Sequence, residues 1–110
     1  MANTFKLKTK ANVGVTTVGI YTAPAATTTV VIGITLANTS GSGVNVGVAV
    51  SRTSDTKEDI KLLKNAPIPS GSSLEFMSGN KIVLETSDQI NVDSDTNNSV
   101  DAALTIMEIT

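Results

Sequence analysis

The chain predicts an all-β fold: an antiparallel β-sandwich of seven to eight strands, with jelly-roll or immunoglobulin-like connectivity. Three observations carry that prediction. Apolar residues alternate with polar or small ones in segments rich in Val, Ile and Thr, the period of a half-buried strand. Turn residues punctuate these segments every 8–12 positions. No segment carries a convincing helical pattern, and the aromatic share is only 3%, so the core is built from aliphatic side chains.

Residues 3–12 come first. Phe5 and Leu7 alternate with Lys6, Lys8 and Lys10, giving one apolar and one basic face. This is the pattern of a solvated edge strand, and equally that of an arm docking on a neighbour. Residues 1–12 are therefore set apart as an N-terminal arm or edge strand, and 13–110 as a single sandwich domain. The next strand spans Thr16–Thr22 and stops at Ala23-Pro24, because proline cannot donate to a ladder.

Thr28–Asn38 follows, with Val30, Ile32, Ile34 and Leu36 on one face and Val31, Gly33 and Thr35 on the other. Val44–Arg52 repeats the pattern through Val44, Val46, Val48 and Val50, after a turn at Thr39–Gly43 whose glycines permit positive φ. Ser54–Leu63 shows a weak helical spacing but reads better as a long loop leading into a strand at Asp59–Asn65. Pro67–Gly71 is a turn. Short strands at Ser72–Met77, Lys81–Glu85 and Asp88–Ser94 precede the final strand, Val100–Ile109, where Val100, Ala102, Leu104 and Ile106 share a face. Asn38 and Asp88 stand at strand ends and read as turn stabilisers.

In a monomeric sandwich the outer faces should be mostly polar. Here Val31, Gly33, Gly47 and Ala49 fall on faces expected to point outward, joined by Ala103, Met107 and Ile109 near the C-terminus. Small side chains let backbones approach closely, so these positions are candidate partner contacts. Phe5, Lys6, Leu7, Lys8 and Lys10 are a second set.

The chemistry of the chain is sparse. It has no histidine, cysteine or tryptophan, which removes the commonest general base, the thiol nucleophile and thiolate metal ligands. No glycine-rich run carries the lysine that would hold a nucleotide phosphate. No catalytic residue and no cofactor is assigned. A net charge of −2 argues against a phosphate-binding surface, and no apolar run reaches membrane-spanning length. Neither nucleic acid nor membrane is expected as a partner. Asp93, Asp95 and Asn97 place oxygen ligands at alternate positions like the opening of a calcium loop. Asn98 and Leu104, however, stand where that loop needs glycine and glutamate, so a plain turn is the stronger reading of residues 93–97.

The order of segments is itself informative. Val15–Tyr21, Thr22-Ala-Pro24, Val30–Thr39, Ala66-Pro-Ile-Pro-Ser-Gly-Ser-Ser-Leu74, Lys81-Ile-Val-Leu-Glu85 and Ile106-Met-Glu-Ile109 together resemble small virion structural proteins of tailed bacteriophages. The nearest likeness is to those of contractile-tailed cyanophages, over residues 13–109. Such proteins carry Gly-Asp where this chain has Ser87-Asp88, which weakens the expectation of a positive-φ turn there. The resemblance implies a non-enzymatic particle component made in the host cytoplasm and located in the virion. A capsid decoration subunit on the head shell is the first expectation; a neck, collar or tail-associated subunit is the second. Its partners would be other virion structural proteins, including the major capsid protein, and further copies of itself in a homo-oligomer. A host-surface or carbohydrate-binding module is the alternative from another class, weakened by having Tyr21 alone to supply the Trp or Tyr ring on which sugars commonly stack.

Overall fold

The structure, a computed structural model, describes residues 2–52, 58–77 and 81–110. Among the described residues nine strands, not the seven to eight expected, form two antiparallel sheets, packed face to face as a β-sandwich; the segment set apart at the N-terminus is itself a paired strand. β1 (Asn3–Val13), β3 (Thr28–Asn38), β6 (Ser73–Phe76), β7 (Ile82–Leu84) and β9 (Val100–Ile109) make a five-stranded sheet. Its order is β1-β9-β3, with β6 and β7 pairing successive stretches of β3. β2 (Val18–Thr22), β4 (Val44–Ser51), β5 (Ile60–Ile68) and β8 (Gln89–Ser94) make the second sheet, in the order β2-β8-β4-β5.

The pairing is nested. The first strand pairs with the last, β2 with β8, β3 with β6 and β7, and β4 with β5, as in one long hairpin rolled up on itself. Contacts of β9 with β3 and of β8 with β4 close the roll. The core lies between the sheets and is aliphatic: Ile34, Leu36, Leu104 and Ile106 from one side meet Val46, Val48, Ile90 and Val92 from the other. Alternation on β4 and β9 matches the reading of the sequence, with Val44, Val46, Val48, Val50 and Val100, Ala102, Leu104, Ile106 all buried.

β3 departs from it. Pairing with β9 runs Val31↔Ile106 and then Gly33↔Thr105, so Ile32 is an extra residue in a β-bulge. A bulge shifts the alternation by one. Ile34 and Leu36 keep their inward positions, but Val31 is 0% exposed in the core, not on the outer face that strict alternation assigns it. Val30 turns outward in its place. Most other strands begin or end within one or two residues of expectation, and β5 differs more. β5 continues through Ala66 and Pro67 to Ile68, which is possible because β5 is an edge strand and the missing N–H of proline costs no ladder bond there. The weak helical spacing at 54–63 gives strand from Ile60 onward, and residues 53–57 lie outside the described residues.

The turn between β7 and β8 does adopt positive φ, at Ser87 (φ 73°). Asp88 holds it. Its carboxylate accepts the Glu85 N–H at 2.9 Å and the Arg52 side chain at 3.2 Å, while Ser87 N–H donates to the Ala23 carbonyl at 2.8 Å. Asn38 has the matching role at the far end, its amide donating to the carbonyls of Ser42 and Ile68 and its oxygen accepting from Ser40. Both are the turn stabilisers expected from the sequence.

Candidate functional site

The two outer faces differ in kind. On the four-stranded sheet the outward residues of β8 are Gln89, Asn91 and Asp93, and they lie over the small residues of their neighbours. A Cβ at Gly47 would stand 2.6 Å from Asp93 Oδ1, and one at Gly19 would collide with Gln89 Nε2. The same side chains are tied down. Asn91 donates to the Ser51 hydroxyl at 2.6 Å, Gln89 to that of Thr22 at 3.1 Å, and Asp93 accepts from that of Thr17 at 3.2 Å. Gly47 is small because a carboxylate covers it, and Ala49 pairs with Asn91 on the same polar face. This is a hydrogen-bonded surface of the kind that faces water.

The outer face of the five-stranded sheet carries an apolar row. Phe5 pairs with Met107, Met107 with Val30, and Val30 with Val83, so the four side chains form one row across the sheet. Phe5 is 69% exposed and Val83 57% exposed. Beside this row stand Leu7, at 64%, and Ile109. Towards the other end the outward residues are small: Thr9, Ala103 and Thr35, then Ala11 and Ala37. They floor a shallow hollow of about 310 Å³. A second groove of about 290 Å³ opens at the bulge, where Gly33, Thr35, Glu75, Met77 and Thr105 line it. A Cβ at Gly33 would meet nothing within 4 Å.

The basic residues point the other way. Lys6, Lys8 and Lys10 pair with Ile106, Leu104 and Ala102, on the core side of the sheet at its open edge. β1 is paired with β9 from Asn3 onward, so these lysines stand on a fixed edge strand. Lysines turned inward at an edge are a known guard against edge-to-edge pairing. Lys6 also has a specific partner: its ammonium lies 2.8 Å from Glu108 Oε1. Glu108 Oε2 accepts the Tyr21 hydroxyl at 2.6 Å, and the same hydroxyl lies 2.7 Å from Thr29 Oγ1. The hydrogen bond from Lys6, followed by that from Tyr21, holds the Glu108 carboxyl below the usual carboxylate range. Burial, then the bond to Glu108, pushes the Tyr21 phenol up to about 12.

The expected partner contacts therefore separate into four places. Phe5, Leu7 and Gly33 share the apolar outer face. Lys6, Lys8 and Lys10 line its edge on the opposite side. Gly47 and Ala49 belong to the polar face of the other sheet, and Val31 is core. Val30 and Val83 were hidden, the first by the bulge and the second because the run Ile82-Val83-Leu84 is too short to show a phase. Of residues 93–97, Asp93 lies in β8 and is engaged with Thr17, whereas Asp95 opens the following turn and accepts from the Asn45 N–H and the Thr96 hydroxyl. Among the described residues no three His, Cys, Asp or Glu side chains cluster as metal ligands. Comparison with protein-family models, with curated proteins and with solved structures finds no match to this chain.

Proposed function

We propose that this chain is a non-enzymatic virion structural protein, a capsid decoration subunit whose assembly runs through the outer face of its five-stranded sheet. The observation that carries the proposal is the row Phe5–Met107–Val30–Val83, a continuous apolar strip on a face where a solitary sandwich places polar residues. The strand order supports the particle reading. β1-β9-β3-β6/β7 against β2-β8-β4-β5, with nested pairing, favours jelly-roll over immunoglobulin-like connectivity, and jelly rolls recur in viral capsid proteins and lectins. Fold alone does not give function, so the apolar row carries the reading. Repetition on a symmetric particle gives avidity, and each contact need not be tight.

A carbohydrate-binding jelly roll is less favoured by the side chains. Tyr21 is buried, with its hydroxyl committed to Glu108 and Thr29, and the chain has no tryptophan. Copy number per purified particle, by quantitative mass spectrometry against the major capsid protein, is the test. A count in the hundreds supports decoration of the head lattice. A count of about six or twelve moves the subunit to a closed ring at the neck, collar or tail. Absence from purified particles overturns the virion reading.

A further inference from the structure

The apolar face has one end that projects and one that is hollow. Phe5, Met107, Val30 and Val83 project at one end, and the small residues Thr9, Ala11, Ala37 and Ala103 leave a depression of about 310 Å³ at the other. Leu7, Thr105 and Gly33 lie between the two ends, at the middle of the face. A two-fold axis across the strands at that level exchanges the ends. It lays the projecting end of one molecule over the hollow end of another, so that Phe5 enters the depression walled by Thr9, Ala11 and Ala103 of the partner subunit, and Leu7 meets Leu7 of the partner subunit. Few surfaces are complementary to themselves in this way, and it is the requirement of an isologous contact.

Size and charge agree. Four strands at about 4.8 Å spacing and eleven residues at about 3.3 Å rise give a footprint of about 700 Å² per molecule, close to the roughly 800 Å² per partner of a stable interface. The strand positions of this face carry two carboxylates, Glu75 and Asp101, and Lys10 joins Asp101 in lining the hollow. Asp101 is already engaged, accepting the Asn12 N–H at 3.0 Å. Pairing through the β1 edge is opposed by the row Lys6, Lys8 and Lys10.

We infer that the outer face of the five-stranded sheet is a two-fold interface between two copies of this chain, with Phe5 as its anchor. The inference rests on reading that face as the docking surface and names what covers it first. Sedimentation velocity of the full chain over a concentration series tests it. Wild type should reach twice the 11.3 kDa monomer mass. Phe5→Ser, which empties the anchor, and Ala103→Lys, which fills the hollow with a charge, should each weaken association by about 30-fold or more. Asn45→Lys, on the polar face, should leave it unchanged. Phe5 is exposed, so its loss does not threaten the fold, and thermal midpoints in dilute solution verify that the variants are folded. Because the chain has no cysteine, Leu7→Cys supplies a single thiol beside the axis, and a short bismaleimide should link it to its own copy.

A wild type that stays monomeric throughout overturns the inference. So does a dimer indifferent to Phe5→Ser and Ala103→Lys, or one that Leu7→Cys does not link. The two readings fail separately. A monomer whose Phe5→Ser variant is lost from particles overturns the two-fold contact and leaves the docking face intact. A dimer whose chain is absent from particles does the reverse.

Discussion

The bulge at Ile32 decides which side chains of β3 form the core and which form the outer apolar row, and two neighbouring valines test it. Val31→Ala and Val30→Ala delete the same two methyl groups one residue apart. Strict alternation from Ile34 and Leu36 makes Val30 the buried residue; the bulged register makes it Val31. Val31 is 0% exposed, so its truncation loses about 1.6 kcal/mol of transfer free energy. Roughly 1 kcal/mol more comes from a cavity that collapses only in part. The expected cost is about 2.5 kcal/mol, a fall of about 10 °C in midpoint for a domain of this size. Val30 is half-buried on the outer face, and its truncation should cost about 0.5–1 kcal/mol. Urea and thermal unfolding at low protein concentration separate the two, since association would otherwise add stability by mass action. A Val30→Ala variant less stable than Val31→Ala would refute the bulged register and dissolve the apolar row with it.

Three other expectations concern the polar groups. Tyr21→Phe removes the hydroxyl from Glu108 and Thr29 and should cost about 1.5–3 kcal/mol in urea unfolding at neutral pH, the range for a buried bond to a charged group; an unchanged midpoint would mean the triad is not formed. The Glu108 carboxyl is lowered on folding, so its contribution is complete above the ordinary glutamate value of about 4.3 and is lost as pH falls through the lower folded value. Lys6→Met should flatten that acid limb of the stability curve, and an equally steep limb in the variant would contradict the assignment. Ser87 holds φ 73°, a conformation that glycine adopts at no steric cost. Ser87→Gly should therefore raise stability by about 0.5–1 kcal/mol, and a loss of stability would show that the serine side chain is needed at the turn.

The strands were legible where apolar side chains meet the core without interruption. β4 and β9 alternate strictly because both are central in their sheets, each bonded on two sides with one face sealed. The register of β3 was not legible, because Val30, Val31 and Ile32 are all apolar and period two cannot locate an inserted residue among them. Gly47 illustrates a second limit. A small residue on an outer face reads as room for another molecule, yet the room is taken by Asp93 from the adjacent strand, a relation that depends on strand order. Lys6 is a third case. Its alternation with Phe5 and Leu7 marks two faces correctly, but which face looks inward follows from pairing with Ile106 and Glu108, more than a hundred residues away in part. Phe5 and Leu7 were legible in the sequence as members of one apolar face; Val83 required the sheet.

The central claim is that assembly covers the outer face of the five-stranded sheet and leaves that of the four-stranded sheet in water. Hydroxyl-radical footprinting, read by mass spectrometry on the dispersed chain and on its assembled form, tests it most directly. The account predicts strong protection of Phe5, Leu7 and Met107 on assembly, with Asn45 and Lys61 labelled equally in both states. Unchanged labelling of Phe5, Leu7 and Met107 in the assembled form would contradict it.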